Sequence, residues 1–365
     1  MTRAEVWAVG LALSAVTAGC ATVGAAVVGG AVEGASEVAI DRATKGSPSG
    51  PTGGSAQQVD SSHYLRRPAV HAVATDAGDC VVAVTSDAML AAVSAGAAGE
   101  PISVLDLAAP ATKLTLPGTT SRSRALAFGN RGTLLAVGRE SGAIELVEVT
   151  TGALAATLSG HERAVLALAF SPDDGTLVSG GADGTVRLWD LGTRRQVQRL
   201  EGPTGPVEAV SFSATGGRVA SGGDDGKVCV WDARNGKRVA CFEGTHPVSS
   251  VALFPGGERI ASNGTEELLS VRDVGLPGSP RAWWLGSQVV AVAVSPDGKS
   301  VAGGQLNGRV ESRAASPDEW DRPSAFCAID PAVAVLAYTF DGRSLIIGGR
   351  DGSVYVVPVD GDLAR

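Results

Sequence analysis

The chain has 365 residues, 49 of them glycine, with 4% aromatic residues and a formal net charge of −8. Acidic and basic side chains are interspersed and no block of Lys or Arg occurs, which argues against nucleic acid as a partner. Abundant glycine with few aromatics suits many short strands joined by tight turns.

In chain order, the first informative stretch is Val6 to Val32, 27 residues without a charge. It follows Arg3 and passes through Thr17-Ala18-Gly19-Cys20, where small residues precede a cysteine. These residues resemble a bacterial lipoprotein signal, with Glu5 and Thr17 departing from its usual pattern. The resemblance implies a signal peptide over 1–19, cleavage before Cys20, diacylglycerol on the Cys20 sulfur, and a lipidated apolar N-terminus over 20–32. Several acyl chains, at about 0.8 kcal/mol per buried CH2, would anchor the protein stably. Ala21 rather than Asp follows the cysteine, which in lipoprotein sorting implies outer-membrane delivery. The alternative is a single uncleaved transmembrane helix, since 27 residues at about 1.5 Å each exceed a hydrocarbon core of about 30 Å. Either reading exports the remainder, which would face the periplasm or the cell surface. Residues 33–61, rich in Gly, Ser, Pro and Thr from Thr44 onward, read as a flexible linker.

Beyond the linker a motif recurs. Ser179-Gly180-Gly181-Ala182-Asp183-Gly184 leads to Trp189-Asp190, and Ser221-Gly222-Gly223-Asp224-Asp225-Gly226 leads to Trp231-Asp232, 42 residues later. Apolar first strands are expected at 69–75, 124–129, 164–170, 206–212, 247–254, 289–294 and 332–338. The turns that end them, at Thr75, Gly129, Ser171, Ser213, Phe254, Ser295 and Thr339, are spaced by 54, 42, 42, 41, 41 and 44 residues. The long first interval implies an insertion at 86–101, between the second and third strands of the first unit. Ser141-Gly142, Asp183-Gly184, Asp225-Gly226, Asn307-Gly308 and Asp351-Gly352 predict two-residue hairpins between second and third strands. Glu266-Glu267 in the fifth unit predicts a wider or irregular turn. After 355–359 too little chain remains for a last outer strand, so Ser62–Arg67 is expected to pair there and close the array.

Repeats of this length ending in Trp-Asp resemble the WD-repeat family. The resemblance implies an all-β fold, a seven-bladed β-propeller over 62–360, preceded by the signal or anchor segment and the linker. It also implies a structural hydrogen-bond network: His161, Ser179, Asp183 and Trp189 in the third unit, and Ser221, Asp225 and Trp231 in the fourth, where Pro203 replaces the histidine. In other units Val147, Arg272, Arg313 and Val357 stand in the Trp position. The family's binding surface would be the face carrying the second-to-third-strand turns, which here offers Glu140, Ala182, Asp224, Thr265, Leu306 and Arg350. Trp283, Trp284 and Trp320 are further anchor candidates by residue type.

No catalytic constellation emerges. Ser179, His161 and Asp183 are the residue types of a nucleophilic triad, but the serine stands inside a strand without the G-x-S-x-G elbow. His63, His71, His161 and His246 lack metal-ligand spacing, and Cys80 and Cys327 lack a CxxC partner, so neither metal nor cofactor is expected. Asp173-Asp174 and Asp224-Asp225 read as turn residues. Cys229 and Cys241 would face each other, and could form a disulfide, if the hairpin turns around Asn235. A one-residue slip would put Phe242 opposite Cys229 instead. The expected protein is a monomeric, non-catalytic platform for protein–protein interaction, tethered to a bacterial envelope membrane. The alternatives are a propeller that binds a small molecule or glycan and, after it, a propeller enzyme.

Overall fold

Short apolar strands that are buried on both faces must be covered by their neighbours on either side, and this requirement organises the molecule. The computed structural model describes residues 12–13, 23–24, 80–95, 97–107, 111–117, 120–265, 268–276, 281–315, 323–329 and 332–359. Within these, six four-stranded antiparallel sheets and one three-stranded sheet follow one another along the chain, each a meander from its innermost to its outer strand. They are the seven blades of an all-β propeller. Ala12–Leu13 and Val23–Gly24 form a separate two-residue pair. The rest of the expected signal segment, Cys20, the expected linker, the expected 62–67 strand and the 69–75 run lie outside the described residues.

Blade 3 shows why the repeat has its composition. Its strands are Val165–Phe170, Thr176–Gly181, Val186–Asp190 and Arg195–Leu200. The second and third are almost wholly buried, while the outer strand is exposed until Leu200. The first glycine of Ser-Gly-Gly is dictated by the next blade: a Cβ on Gly180 would stand 2.5 Å from Val207 on the innermost strand of blade 4. Gly222 meets Val248 of blade 5 in the same way.

The core is divided into seven clusters, one at each seam between adjacent blades. Leu135, Val137 and Val104 pack blade 1 on blade 2, and Val178, Leu188, Val219 and Trp231 pack blade 3 on blade 4. The ring closes through Val82, Ala91, Val93, Ile346 and Val354, which join blade 7 to blade 1. There the Phe340 amide also donates to Ser86 O at 2.8 Å. Blade 7 has three strands among the described residues, Val333–Tyr338, Ser344–Gly349 and Val354–Pro358.

Three expectations are corrected. Blade 1 begins at Val81–Val84 and continues with Leu90–Ser94 and Ile102–Asp106. The insertion expected at 86–101 shrinks to two residues, because the loop closed by the Ser94–Ile102 pair is two residues longer than the loop closed by Gly180 and Val186 in blade 3. Thr85 ends its innermost strand: the hydroxyl donates to Asp87 at 2.6 Å and accepts the Leu90 amide at 2.9 Å. Ser171, Ser295 and Thr339 do the same with Asp173, Asp297 and Asp341. The true first interval, Thr85 to Gly129, is 44 residues. The run at 69–75 misleads because it too is apolar and ends in Thr-Asp.

The five second-to-third-strand turns expected to be two-residue hairpins, in blades 2, 3, 4, 6 and 7, are not. In blade 3 the Gly181 carbonyl accepts the Gly184 amide at 3.1 Å and its N–H donates to Thr185 O at 3.1 Å, leaving a three-residue loop. Positive φ falls on the glycine, 75° at Gly184, and not on Asp183. This is a turn followed by a left-handed glycine, which leaves the Asp183 carboxylate free to fold back under the loop.

In blade 5 the irregularity expected at Glu266-Glu267 falls in the strand. Thr265 pairs with Leu268, the register shifts between Ser262 and Thr265, and Gly264 has φ 138°. The Glu266-Glu267 turn itself lies outside the described residues.

Candidate functional site

The four residues expected in blade 3 meet in one chain of hydrogen bonds. Trp189 Nε1 donates to Ser179 Oγ at 2.8 Å, Ser179 Oγ lies 2.7 Å from His161 Nε2, and His161 Nδ1 lies 3.0 Å from Asp183 Oδ2. The consistent proton assignment has Ser179 donating to a neutral His161 whose Nδ1–H donates to Asp183. Burial holds the His161 pKa below its usual value, although Asp183 acts the other way. Burial also opposes ionisation of Asp183, but hydrogen bonds from the Thr185 hydroxyl and the Glu162 amide outweigh it and bring the pKa down to about 2. A neutral His161 lends Asp183 a hydrogen bond rather than a full charge, so the hydroxyl and amide donors carry most of that depression.

The triad-like geometry does not make an accessible nucleophile. Ser179 is 0% exposed, and its oxygen is committed to both an indole N–H and an imidazole. An acyl carbon has no approach to it.

Blade 4 does not reproduce this network, which corrects the expectation for Ser221, Asp225 and Trp231. Pro203 cannot relay a proton between the serine and the aspartate. Ser221 Oγ is buried and has no hydrogen-bond partner among the described residues. Asp225 instead binds the Thr204 amide at 2.6 Å, the Thr204 hydroxyl at 3.0 Å and the Lys227 amide at 3.0 Å. Trp231 is buried in the seam with blade 3. Opposite Ser221 stands Cys229, in register with Cys241 across the next pair of strands, and the two cysteines are joined in a disulfide.

In the remaining blades other contacts replace the tryptophan. Arg272 lies over the Phe242 ring at 5.3 Å, and Arg313 pairs with Glu311 at 3.1 Å. In blade 2 a buried Arg139 binds Glu145 and the Ser123 hydroxyl.

The face bearing the second-to-third-strand turns is built to one plan. The amides of Glu140, Ala182, Asp224, Leu306 and Arg350 donate to the carbonyls of Arg122, Ala164, Pro206, Gln288 and Ala332, at 2.8–3.0 Å. Each pins a turn to the loop entering its own blade's innermost strand. Glu140, Asp224, Leu306 and Arg350 are exposed on this face, and Ala182 is half-buried. Thr265 does not share the position: in blade 5 the equivalent bond comes from the Asn263 amide to Ser250 O, at 3.3 Å. The strand bulge before Thr265 moves it out of the series. Trp283 is buried, and Trp320 lies outside the described residues.

The centre of this face opens into a cavity of about 330 Å3, lined by residues of all seven blades. Its walls come from a repeated irregularity. In blades 2, 3, 4, 6 and 7 the innermost strand carries a one-residue bulge, between Ser123 and Ala125, Val165 and Ala167, Val207 and Ala209, Val289 and Ala291, and Val333 and Val335. The extra residue, Arg124, Leu166, Glu208, Val290 or Ala334, lines the cavity each time. Ser249 lines it from blade 5 and Arg350 from the rim of blade 7. Burial raises the Glu208 pKa, with Asp224 adding to the effect and Arg124 opposing it.

Arg124 and Glu208 were not singled out from the sequence. The signal was present, because 124, 166 and 208 are spaced by 42, but strand alternation alone does not show that a bulge turns them to the axis. Among the described residues no cluster of three or more His, Cys, Asp or Glu is placed to hold a metal ion, and no helix is long and apolar enough to cross a membrane.

Comparison with known proteins agrees with this architecture. The family model described as WD domain, G-beta repeat matches residues 152–190 and 194–232. Each match starts at the outer strand of one blade and ends in the third strand of the next, so the sequence repeat is offset from the structural blade by one strand. A chain of the solved structure described as Crystal Structure of Mitotic Checkpoint Complex is similar at TM-score 0.68 and 21% identity, over 76% of this chain and 90% of that one. At that identity the likeness speaks for the fold. No curated protein matches the chain.

Proposed function

We propose that this chain is a non-catalytic protein-interaction scaffold: a monomeric WD-repeat propeller tethered through Cys20 to a membrane of the bacterial cell envelope. The observation that carries the reading is the ring of equivalently pinned turns, which presents Glu140, Asp224, Leu306 and Arg350 on one rigid face. A rigid display surface costs little ordering entropy when a partner docks. The burial of Ser179 beneath that face supports a binding role over a hydrolytic one. The presence of a propeller chain in a multi-protein assembly is consistent with such a role. Tethering rests on the Thr17-Ala18-Gly19-Cys20 run, and the linker over 33–61 would let the ring reach its partners.

Two experiments test this. A photo-crosslinking residue is placed at Leu306 on the turn face, or at Phe340 on the opposite end of the strands, in cells that make the full chain. A discrete protein adduct from Leu306 and none from Phe340 is expected; equal labelling, or none at either position, would overturn the assignment of the face. For the anchor, Cys20→Ser should move the protein from the membrane to the soluble fraction. Full membrane retention of that variant would sink the lipid anchor.

A further inference from the structure

The channel mouth brings together three charged side chains that make no hydrogen bond or ion pair among the described residues: Arg124, Glu208 and Arg350. Their order around the ring is informative. Arg350 on blade 7 and Arg124 on blade 2 flank blade 1, so one arc of the mouth is cationic. Glu208 on blade 4, with Asp224 on the adjoining rim, makes a second arc acidic. Leu166 of blade 3 lies between Arg124 and Glu208, and Val290 and Ala334 line the far wall. The mouth is therefore bipolar, with Leu166 between its poles on one side and Ser249 and Val290 on the other.

From this arrangement we propose that the channel mouth binds a small lysine-like zwitterion, its carboxylate toward Arg124 and Arg350 and its ammonium group toward Glu208. A ligand of one sign would satisfy one arc and be repelled by the other. Because a whole blade separates Arg124 from Glu208, the two ligand charges must be several bonds apart, joined by a chain that can lie along Leu166. The cavity, about 330 Å3, is at the small end of ligand sites. It suits such a molecule better than an oligosaccharide. Guanidinium groups are well matched to a carboxylate. The half-buried Glu208 carboxyl gains most from a cation brought into the same desolvated space. The site shares Arg350 with the turns proposed to dock a protein, but Arg124 and Glu208 lie on the innermost strands within the channel, so substitutions at those two residues test the ligand site apart from the docking face.

The same chemistry is offered by free lysine and by the C-terminal lysine of another protein. Calorimetric titration of the full chain with 6-aminohexanoate, hexanoate and hexylammonium tests the chemistry. We expect 6-aminohexanoate to bind, and each single-charge analogue to bind about tenfold more weakly or worse. Glu208→Gln and Arg124→Gln should each weaken 6-aminohexanoate to a similar degree, with cooperative thermal unfolding at no lower a midpoint showing that the ring is intact. L-lysine and an N-acetylated pentapeptide ending in lysine then distinguish the sources, the tighter binder naming the natural one. Equal binding of the three probes, absence of 6-aminohexanoate binding, or indifference of binding to both substitutions would overturn the proposal.

Discussion

At His161 and Asp183 the fold sets both protonation states in the same direction. Burial lowers the His161 pKa from 6.5. Burial works against the Asp183 carboxylate too, but its hydrogen bonds prevail and take it from 3.8 to about 2. Both groups therefore hold fewer protons in the folded chain than in the unfolded one, and stability rises with pH through their titration. The His161 contribution is lost as pH falls below 6.5, and that of Asp183 as pH falls from 3.8 through about 2. Urea midpoints measured from neutral to acidic pH should decline over the first window, and His161→Gln should flatten that decline. The same substitution should lower stability at neutral pH by about 1–3 kcal/mol, because it leaves Ser179 or Asp183 short of a buried partner. Glu208 has the opposite sign: burial raises its pKa, so its ionisation works against folding as pH rises. Glu208→Gln should leave neutral-pH stability unchanged or raise it. Ala88 offers a further residue-scale test. It has φ 58° in the turn position filled by Gly132, Gly216, Gly257, Gly298 and Gly342 in other blades. Ala88→Gly should stabilise the protein by up to about 1 kcal/mol in urea unfolding, relief of left-handed strain exceeding the entropy added to the unfolded chain.

Among the strands, the Cys229–Cys241 bridge depended on register. The sequence allowed it for one alignment of the hairpin and forbade it for a slip of one, and the structure pairs the two cysteines directly. A bridge across a sequence separation of 12 is worth about 2–4 kcal/mol. The double variant Cys229→Ser with Cys241→Ser should lose that much in denaturant unfolding. Alkylation of the unreduced, denatured chain should label Cys80 and Cys327 but neither bridged cysteine. Blade 3 was readable in detail because its Trp, Ser, His and Asp all contribute to one local network. Blade 4 looked equivalent, yet one change to Pro203 removes the relay and leaves Ser221 unpaired among the described residues. Blade 1 was misread because two apolar runs competed for its innermost strand. The Thr-x-Asp turn at Thr85 decides between them, since its aspartate stands two residues after the hydroxyl, whereas Asp76 directly follows Thr75.

Over the whole molecule, adjacent blades share one apolar cluster at each seam, so damage to any blade loosens two interfaces. Among the described residues Val354–Pro358 has no outer neighbour, and it is there that Ser62–Arg67 is proposed to pair. Deleting 62–67 should lower the thermal midpoint and increase hydrogen exchange most in the strands of blade 7, and an unchanged exchange pattern there would refute the pairing. The number of blades and their order were written in the 42-residue spacing, because each repeat specifies its own apolar strands through local contacts. The channel was not. Arg124 and Glu208 are 84 residues apart, and nothing in either repeat requires the two to face one cavity. That juxtaposition comes from the bulges on the innermost strands and from closure of the ring, both products of packing between blades, and it is visible in the tertiary structure alone.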